Sequence, residues 1–530
     1  MTRPVRVAIV GAGPAGIYAA DALLKSEVAQ GPGVSIDLFE RMPAPFGLIR
    51  YGVAPDHPRI KGIVKALHQV LDKPQLRLFG NVDYPRDINL DDLRSFYDAV
   101  IFSTGAEADR ALDIPGIGLE GSYGAADFVS WYDGHPEVPR TWPLEAEKVA
   151  VLGVGNVALD VARILAKTAD ELLPTEIPAN VYEGLKANKA LEVHVFGRRG
   201  PAQAKFSPME LRELDHSPNI EVIVNPEDID YDEGSIATRR ENKQANMVAS
   251  TLENWAIRDV GDRPHKLFLH FFESPVEVVG EDGHVTALRT ERTELDGTGN
   301  VRGTGRFTDW DVRSVYRAVG YYSDELPKLP FDVASGTVPH AEGRVLDGGA
   351  PMTSVYVTGW IKRGPIGLIG HTKGDANETV ACLLADQAAG RLPAPAEPGP
   401  DAVVDFLEQR GVRYTTRTAG TAWTRTSRRS ARSRAVSGSR SSSATACWTR
   451  PAPESRFPPP PAAPPQGTAG GAGPSGPPGN RPVGGGPSGS PPRGRTTRRL
   501  GGWRSISTYT PRTPSGAPSP AWPRASAPTR

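Results

Sequence analysis

Closely spaced glycines directly after a short apolar run occur twice in the chain, and this arrangement limits the possible folds more than any other feature. The first copy is RVAIV (residues 6–10), followed by GAGPAG (residues 11–16) and an apolar segment with helical spacing. A strand, a glycine turn and a helix in this order are typical of a dinucleotide-binding βαβ unit. Two such units predict an α/β fold with two Rossmann-like dinucleotide-binding domains.

The glycines of the first turn have separate purposes. Gly11 permits the tight turn, Gly13 lets the backbone approach a pyrophosphate, and Gly16 lets the helix pack closely on the strand. The helix N-terminus offers free N–H groups to the phosphates. The next predicted strand, SIDLFE, ends at Glu40, 24 residues after Gly16. A carboxylate there can accept both ribose hydroxyls of an adenosine and disfavours a 2′-phosphate, so this unit suits FAD or NAD.

The second glycine turn has the opposite charge at the end of its neighbouring strand. KVAVLGVGNVALDVARIL (residues 148–165) keeps the first two glycines and has Ala158 in the third position. The next predicted strand, LEVHVFGRRG, ends at Arg198 and Arg199, and a polar helical insert explains the long spacing. Two guanidiniums can hold the 2′-phosphate of NADP by charge-assisted, bidentate bonds. Two sites of opposite ribose preference predict a flavoprotein that uses NADPH.

The sequence after the second unit indicates a return to the first domain. SVYVTGWIKRGPIGLIG (residues 354–370) is typical of a strand and a glycine-rich approach to a helix, DANETVACLLAD. In proteins that hold FAD and NADP on two such domains, a returning segment places backbone against the flavin ring. Gly367, Leu368 and Ile369 occupy that position, and Trp360 can pack on the FAD.

The last part of the chain differs in composition from the rest. Residues 417–530 contain 18 Arg, no Lys, one acidic residue and 21 of the 51 prolines. Residues 1–416 carry the other 43 basic and 60 acidic side chains, a net charge of −17. The tail is too polar and too rich in Pro and Gly to bury the surface that would offset its ordering entropy. We therefore expect residues 417–530 to be disordered.

Composition and motifs exclude several protein classes. No apolar run approaches the roughly 18–20 residues of a membrane span, and the first residues do not resemble a secretory signal. Cys382 and Cys447 are the only cysteines, which excludes a disulfide framework, an iron–sulfur ligand set and a CxxC redox pair. We expect a soluble, acidic, cytoplasmic protein with no metal site and no membrane insertion.

Residues 1–416 resemble the adrenodoxin-reductase-type ferredoxin–NADP(+) reductases. The most specific segments are ERMPAPFGLIRYGVAPDHPRIK (residues 40–61), GVGNVALDVARIL (153–165), GRRGPAQAKFSPMELREL (197–214) and GWIKRGPIGLIGHTKGDANETV (359–380). The resemblance implies an enzyme that passes electrons between NADPH and ferredoxin through FAD. NADPH gives a hydride to the flavin, which then gives single electrons to an iron–sulfur protein.

The resemblance and the glycine turns together imply a set of site residues. The expected FAD contacts are Gly11, Gly13, Ala15, Gly16, Glu40, Leu48, Val82, Trp360, Gly367, Leu368 and Ile369. The expected NADP contacts are Val154, Gly155, Asn156, Val157, Arg198, Arg199, Glu210 and Gly367. The family places His57 and Glu210 near the flavin and nicotinamide, where we expect them to tune hydride transfer rather than act as obligatory acid and base.

The same resemblance implies domain boundaries. Residues 1–108 are expected to form the first part of a discontinuous FAD-binding domain, and residues 109–325 an inserted NADP-binding domain. Residues 326–400 are expected to return to the FAD domain, and residues 401–416 to begin a truncated C-terminal element.

The tail is compatible with a shifted reading frame. The family usually ends in a helix with the pattern W-x-x-L-D-x-x-E, which is absent here. Codons read out of register from Arg417 onward permit DGWHRLDAHE, and the second Asp, which uses the last base of the Trp423 codon, is nearly forced. Misread GC-rich DNA also yields Arg-, Pro-, Gly- and Ala-rich sequence without Lys. We expect residues 417–530 to be a frameshift product without function.

Three other functions share part of this pattern. A disulfide reductase needs a CxxC pair beside the flavin, which the chain lacks. An NADPH diaphorase or quinone-type reductase is compatible with the same domains, and comparing turnover with ferredoxin and with small acceptors separates the two. An Arg-rich tail can bind phosphates without specificity, but it contains no recognisable nucleic-acid module, so we expect no nucleic-acid partner.

An acidic iron–sulfur partner would need a local basic patch on this acidic chain. The candidates are the basic residues near the Pro-rich loop and the second strand end: Arg41, Arg50, Arg59, Lys61, Lys65 and those within residues 198–205.

Overall fold

Two parallel sheets carry the two glycine turns in the computed structural model, which describes residues 3–367 and 369–416. The expected FAD contact at Leu368 and the expected disorder of residues 417–530 lie outside the described residues. No helix of the described part is long and apolar enough to cross a membrane.

The first sheet is assembled from both ends of the described chain. Its strands are β1 (Val5–Val10), β2 (Val34–Glu40), β3 (Leu76–Gly80), β4 (Ala99–Phe102), β16 (His340–Ala341), β17 (Arg344–Asp347) and β18 (Ala350–Val357). Their order is β16–β17–β18–β4–β1–β2–β3. Strand β18 pairs in parallel with β4, whereas β16 and β17 add an antiparallel edge. The late strands therefore complete the sheet that the first turn begins.

The second sheet comes from the middle of the chain and is parallel throughout. Its strands are β6 (Ser122–Gly124), β7 (Lys148–Leu152), β8 (Glu192–Gly197), β9 (Ile220–Val224), β10 (His265–Phe271) and β14 (Ser314–Arg317). Their order is β6–β14–β7–β8–β10–β9. These strands are largely apolar, as is typical of a parallel sheet that is covered on both faces.

Two smaller ladders accompany these sheets. Strands β11 (Glu273–Glu281), β12 (His284–Leu295) and β13 (Val301–Trp310) form an antiparallel sheet. Strands β5 (Ala108–Asp109) and β15 (Tyr321–Tyr322) pair where the chain passes between the two large sheets. The expected domain boundaries after residues 108 and 325 lie close to this short ladder.

Helices cover the faces of both large sheets. They are α1 (Pro14–Leu24), α2 (Glu27–Gln30), α3 (Leu48–Tyr51), α4 (Pro58–Lys61), α5 (Val64–Leu71), α6 (Leu90–Phe96), α7 (Ala125–Asp133), α8 (Asn156–Ala166), α9 (Ala169–Leu172), α10 (Ala179–Lys186), α11 (Pro208–Glu213), α12 (Glu233–Glu241), α13 (Lys243–Ala256), α14 (Trp360–Arg363), α15 (Ile369–Ala388) and α16 (Ala402–Gln409). Short 3-10 helices occupy residues 201–203, 214–216 and 226–228.

The core follows this layering. Helices α1 and α15 pack together on one face of the first sheet, where Ile17, Leu23, Ala376 and Leu383 are fully or almost fully buried. Helices α6 and α16 cover the other face. A separate apolar cluster encloses α8 against the second sheet. Each glycine turn is thereby held at the carboxyl end of a rigid central strand, where open α/β sheets bind ligands.

Candidate functional site

The first turn needs glycine at two positions and has open space at a third. Gly11 has φ +105°, and a Cβ there would lie 2.5 Å from the carbonyl oxygen of Ser103. A Cβ at Gly16 would lie 2.1 Å from the carbonyl oxygen of Gly11. Around Gly13, which precedes α1, no atom lies within 4 Å of such a Cβ. Gly11 and Gly16 thus serve packing, and Gly13 leaves backbone accessible to a ligand.

Glu40 lies beside this turn at the end of β2. Its two carboxylate oxygens accept hydrogen bonds of 2.9 Å from the backbone N–H groups of Ala12 and Met42. Burial raises the pKa of Glu40 to about 7, although both hydrogen bonds favour the ionised form. The carboxylate is therefore fixed against the turn, as the predicted ribose contact requires.

The returning segment touches the first turn. Gly359 has φ +79°, and a Cβ there would lie 2.6 Å from the Cβ of Ala15. Trp360 begins α14, and its ring lies 5.9 Å from that of Tyr321 with an angle of 28° between the planes. Gly367 has φ +88° and precedes α15, which begins at Ile369. The structure thus brings the return segment to the predicted FAD contact at Ala15.

Two further predicted FAD contacts flank Glu40 and the first turn. Leu48 begins α3 directly after Gly47, and a Cβ at Gly47 would lie 3.3 Å from the Cα of Gly13. Val82 is buried, and its N–H donates to the backbone carbonyl of Glu40. Both positions are therefore next to the turn.

The second turn repeats this geometry. Gly153 has φ +134°, and a Cβ there would lie 2.3 Å from the carbonyl oxygen of Ala318. No atom lies within 4 Å of a Cβ at Gly155, which precedes α8.

The segment after Arg199 shapes the second turn. The carbonyl of Val154 accepts from the N–H of Lys205, and the side chain of Asn156 accepts from the N–H of Ser207. Val157 packs against the buried cluster of Ala106, Ala126 and Tyr321, on which Trp360 of the return segment also packs. The predicted NADP contacts 154–157 therefore form one continuous turn that reaches toward the first domain.

Arg198 and Arg199 follow β8 directly. Arg198 is exposed and Arg199 is partly exposed. Their backbone carbonyls bond to Thr293 and Phe272, but neither guanidinium has a hydrogen bond or ion pair within residues 3–367 and 369–416. Two free cations at a strand end are available for an anionic ligand.

His57 and Glu210, which are far apart in sequence, meet between α4, α8 and α11. His57 Nε2 lies 2.9 Å from the Glu210 carboxylate and 2.8 Å from that of Asp160, and His57 Nδ1 lies 3.2 Å from Glu213. Burial opposes protonation of His57, but the hydrogen bonds to Asp160 and Glu210 outweigh it and raise its pKa to about 10. His57 is therefore an imidazolium at neutral pH.

Arg163 completes this buried cluster. Its Nη2 lies 2.7 Å from His57 Nε2 and 2.8 Å from Asp160, and the guanidinium binds Asp56 through two hydrogen bonds. The Arg163 and Lys167 cations hold the pKa of Asp56 well below its usual range. This cluster of three positive and four negative groups thus connects Asp56 and His57 to α8 and α11.

Asp160 and Arg163 were not predicted from the sequence. Both lie on α8, where ALDVARIL places them three residues apart among alanine and branched aliphatic residues. Both are buried with that apolar face. Charged residues that face a core are rarely tolerated without partners, so their position in this helix was the available signal.

His57, Glu210 and Glu213 also satisfy the distance requirement for a metal ion, because their ligand atoms lie within 4.8 Å of one another. A histidine binds a metal through the lone pair of a neutral imidazole, whereas the raised pKa of His57 favours the protonated ring. The cluster therefore fits an ion-pair network better than a metal centre.

Two of the proposed basic docking residues are engaged within the protein. Lys61 is buried, and its Nζ lies 3.0 Å from Asp133. Arg41 pairs with Glu107 and Glu137. The expectation of an accessible patch is therefore wrong at Lys61 and weakened at Arg41, because nearby carboxylates use these charges. Exposed cations in the set include Arg59, Lys65, Arg198 and Lys205.

Comparison with known proteins agrees with this geometry. The sequence profile of the pyridine nucleotide-disulphide oxidoreductases matches residues 5–225. NADPH-ferredoxin reductase FprA of Mycobacterium tuberculosis (strain CDC 1551 / Oshkosh) is 40% identical over 420 residues, which cover 77% of this chain and 90% of that protein. Human mitochondrial NADPH:adrenodoxin oxidoreductase is 36% identical over 427 residues, which cover 77% and 84%.

A solved structure is similar over nearly the same region. Mycobacterium tuberculosis FprA in complex with NADPH superposes with a TM-score of 0.74 at 36% sequence identity, over 82% of this chain and 96% of the other. The motifs, the two linked sheets and these likenesses agree, and the chain belongs to the family of NADPH-ferredoxin and NADPH:adrenodoxin reductases.

Proposed function

We propose that the protein passes electrons from NADPH through FAD to an iron–sulfur protein of the ferredoxin type. The observation that carries the proposal is the pair of glycine turns with opposite strand-end charges, Glu40 beside the first and Arg198–Arg199 beside the second. The open space at Gly13 and Gly155 is the cradle that a pyrophosphate needs. Membership of the reductase family supports the same direction of electron flow.

The two large sheets would divide the cofactors between them. The domain with the first sheet would hold FAD, with Glu40 on the ribose, the turn at residues 11–16 on the pyrophosphate, and Trp360 with Gly367 near the flavin. The domain with the second sheet would hold NADP, with the turn at residues 153–157 on the pyrophosphate and the two free arginines on the 2′-phosphate. Trp360 stacks on Tyr321, and Val157 of the second turn packs on the cluster that contains Tyr321.

When bound, FAD would supply the chemistry that links two-electron hydride transfer from NADPH to single-electron transfer. The chain's own residues bind, orient and shield the reactants. The imidazolium of His57, held between Asp160 and Glu210, supplies a fixed positive charge at the junction of the two domains. A fixed charge in a buried site stabilises developing negative charge without reorganisation. We assign this tuning role to His57, which the Glu210 carboxylate holds in place.

The partner is proposed to be a ferredoxin that docks through the exposed cations Arg59, Lys65 and Lys205, since Arg198 is assigned to the 2′-phosphate. Complementary charge would steer an acidic partner to an otherwise acidic chain. The cytoplasmic location inferred from the sequence stays a prediction.

The test is purification of the full chain followed by spectroscopy and turnover. We expect a flavin spectrum, one FAD per chain and no iron, with NADPH oxidation coupled to ferredoxin reduction. A folded protein without the two flavin absorption bands would contradict the cofactor assignment. Turnover with quinones or dyes but not with any ferredoxin would instead favour the diaphorase function.

A further inference from the structure

The turn at residues 358–363, where the return segment passes the first glycine turn, is tied to one carboxylate. Asp375 lies on α15, and its side chain is almost fully buried. One oxygen accepts from the Thr358 hydroxyl at 3.1 Å and from the N–H of Gly359. The same oxygen lies 3.1 Å from Arg363 Nη1, and the other lies 2.9 Å from Lys362 Nζ. One residue therefore collects four donors from the six residues of the turn.

The geometry of the turn explains why it needs such a tie. Gly359 has a positive φ, and its Cα approaches Ala15 so closely that a Cβ would clash. Lys362 is buried, so its ammonium requires the carboxylates of Asp375 and Glu378. The short helix α14 begins at Trp360 within this turn. Without the Asp375 carboxylate, the Thr358 hydroxyl and the Gly359 N–H would lose this acceptor, and Lys362 and Arg363 would each lose one of theirs.

We propose that Asp375 is a positioning residue for FAD, which holds the turn at residues 358–363 against the first glycine turn and thereby fixes Ala15 and Trp360 for the cofactor. The proposal rests on the proposed function, because it takes the first domain as the FAD site. Among the described residues, the side-chain hydrogen bonds and ion pairs of Asp375 go to Thr358, Gly359, Lys362 and Arg363 and not to residues 11–16. It acts through the backbone of Gly359 and the side chains that follow.

The same helix supplies a matched control. Asp386, eleven residues later on α15, binds Arg344 through two hydrogen bonds and accepts from the Tyr356 hydroxyl at 2.7 Å. It is also largely buried and also joins the helix to the sheet. Arg344 lies on β17 and Tyr356 on β18, and a third partner, Arg391, follows the end of α15. These partners lie outside the glycine turn at residues 11–16. Loss of either carboxylate removes comparable interactions, but only Asp375 reaches the turn.

The experiment compares Asp375→Asn and Asp386→Asn in the full chain. Apoprotein is prepared by removing flavin, and FAD binding is measured by quenching of FAD fluorescence, together with visible circular dichroism of the bound flavin. We expect Asp375→Asn to raise the FAD dissociation constant about tenfold or more, as loss of charge-assisted hydrogen bonds implies. Asp386→Asn should lower the Tm of the apoprotein with an FAD dissociation constant within about twofold of the wild type.

The outcomes separate the two proposals. If the wild type binds no FAD, the proposed function fails. If the wild type binds FAD and Asp375→Asn binds it equally tightly with the same circular dichroism, the positioning role is wrong. An equal loss in both variants also contradicts it, because the effect would then be general destabilisation.

A milder change keeps the proposal testable if Asp375→Asn does not fold. Arg363 is partly exposed and donates to Asp375, to Thr372 and to the carbonyl of Ile366. Arg363→Gln should raise the FAD dissociation constant about threefold at an unchanged Tm of the apoprotein. An unchanged dissociation constant would contradict the proposal.

Discussion

At the scale of single residues, charge at the strand ends decides which nucleotide each domain accepts. The guanidiniums of Arg198 and Arg199 make no hydrogen bond or ion pair among the described residues. They therefore lose no internal contact when they bind a phosphate. Losing one charge-assisted bond costs about 1.5–3 kcal/mol, which corresponds to roughly tenfold or more in affinity. Replacing both arginines with Ala should therefore raise KM for NADPH far more than KM for NADH. Steady-state kinetics with both coenzymes checks this, and equal losses would show that the arginines do not bind the 2′-phosphate.

His57 should give the stability of the protein a specific pH dependence. Its pKa rises from 6.5 to about 10 because Asp160 and Glu210 bind the protonated form. A raised folded-state pKa contributes stability that is complete below pH 6.5 and is lost as the pH rises toward 10. Comparing urea unfolding at pH 6, 8 and 10, we expect the wild type to lose stability relative to His57→Gln over this range.

A matched change on the surface controls this experiment. His216 is exposed, so His216→Gln should follow the wild type at every pH. If His57→Gln also follows the wild type from pH 6 to 10, the imidazole is not held as an imidazolium.

At the scale of elements, the glycine turns separate packing from ligand binding. Gly13 and Gly155 have ordinary extended φ angles of −73° and −113°, and a Cβ at either meets no atom. Both glycines are helix N-caps, where Gly is preferred to Ala, so Gly→Ala costs about 0.5–1 kcal/mol without a steric clash. Gly13→Ala should therefore weaken FAD binding, and Gly155→Ala NADPH binding, while the apoprotein Tm falls by only about a few degrees. Calorimetric titration and thermal melts test both, and undiminished binding would show that no pyrophosphate approaches that glycine.

The same elements show how far sequence reasoning reaches. The strands β1, β2, β7 and β8 and the helices after the two glycine turns follow from local apolar patterns, because each pattern is contained in one short segment. Helix α15 begins at Ile369, six residues before its predicted start, because residues of low helix propensity are included by packing on α1. The antiparallel sheet β11–β13 was not predicted, because pairing between strands is not encoded in any single segment.

The candidate site was predictable only in part for the same reason. Glycine turns and strand-end charges are local signals, so their positions could be identified directly. The contacts of His57 with Asp160 and Arg163 join residues more than 100 positions apart. Only the folded chain shows that these side chains share one buried cluster, and only there does Lys61 prove to be paired with Asp133.

At the scale of the whole molecule, ordered packing continues to the end of the described chain. Val403 and Leu407 of α16 are buried in the core of the first sheet. Thr415 exchanges two backbone hydrogen bonds with Gly80, and the ring of Tyr414 packs on Phe79. Residues 402–415 therefore behave as a genuine part of the first domain, and the change of composition begins at Arg417, two residues after the last of these contacts.

The interpretation of residues 417–530 as a frameshift product gives the last prediction. A chain that ends at Thr416 should keep the Tm, FAD content and NADPH-dependent reductase rate of the full chain, because the composition of residues 417–530 is too polar and too rich in Pro and Gly to add a buried core. A chain in which DGWHRLDAHE follows Thr416 should be more stable than either, because its Trp and Leu would lie on one helical face beside α16 and β3. Resequencing the gene decides the origin of the tail. An intact reading frame, together with a tail that resists proteolysis as well as residues 1–416 do in the mature protein, would show that the tail belongs to the fold.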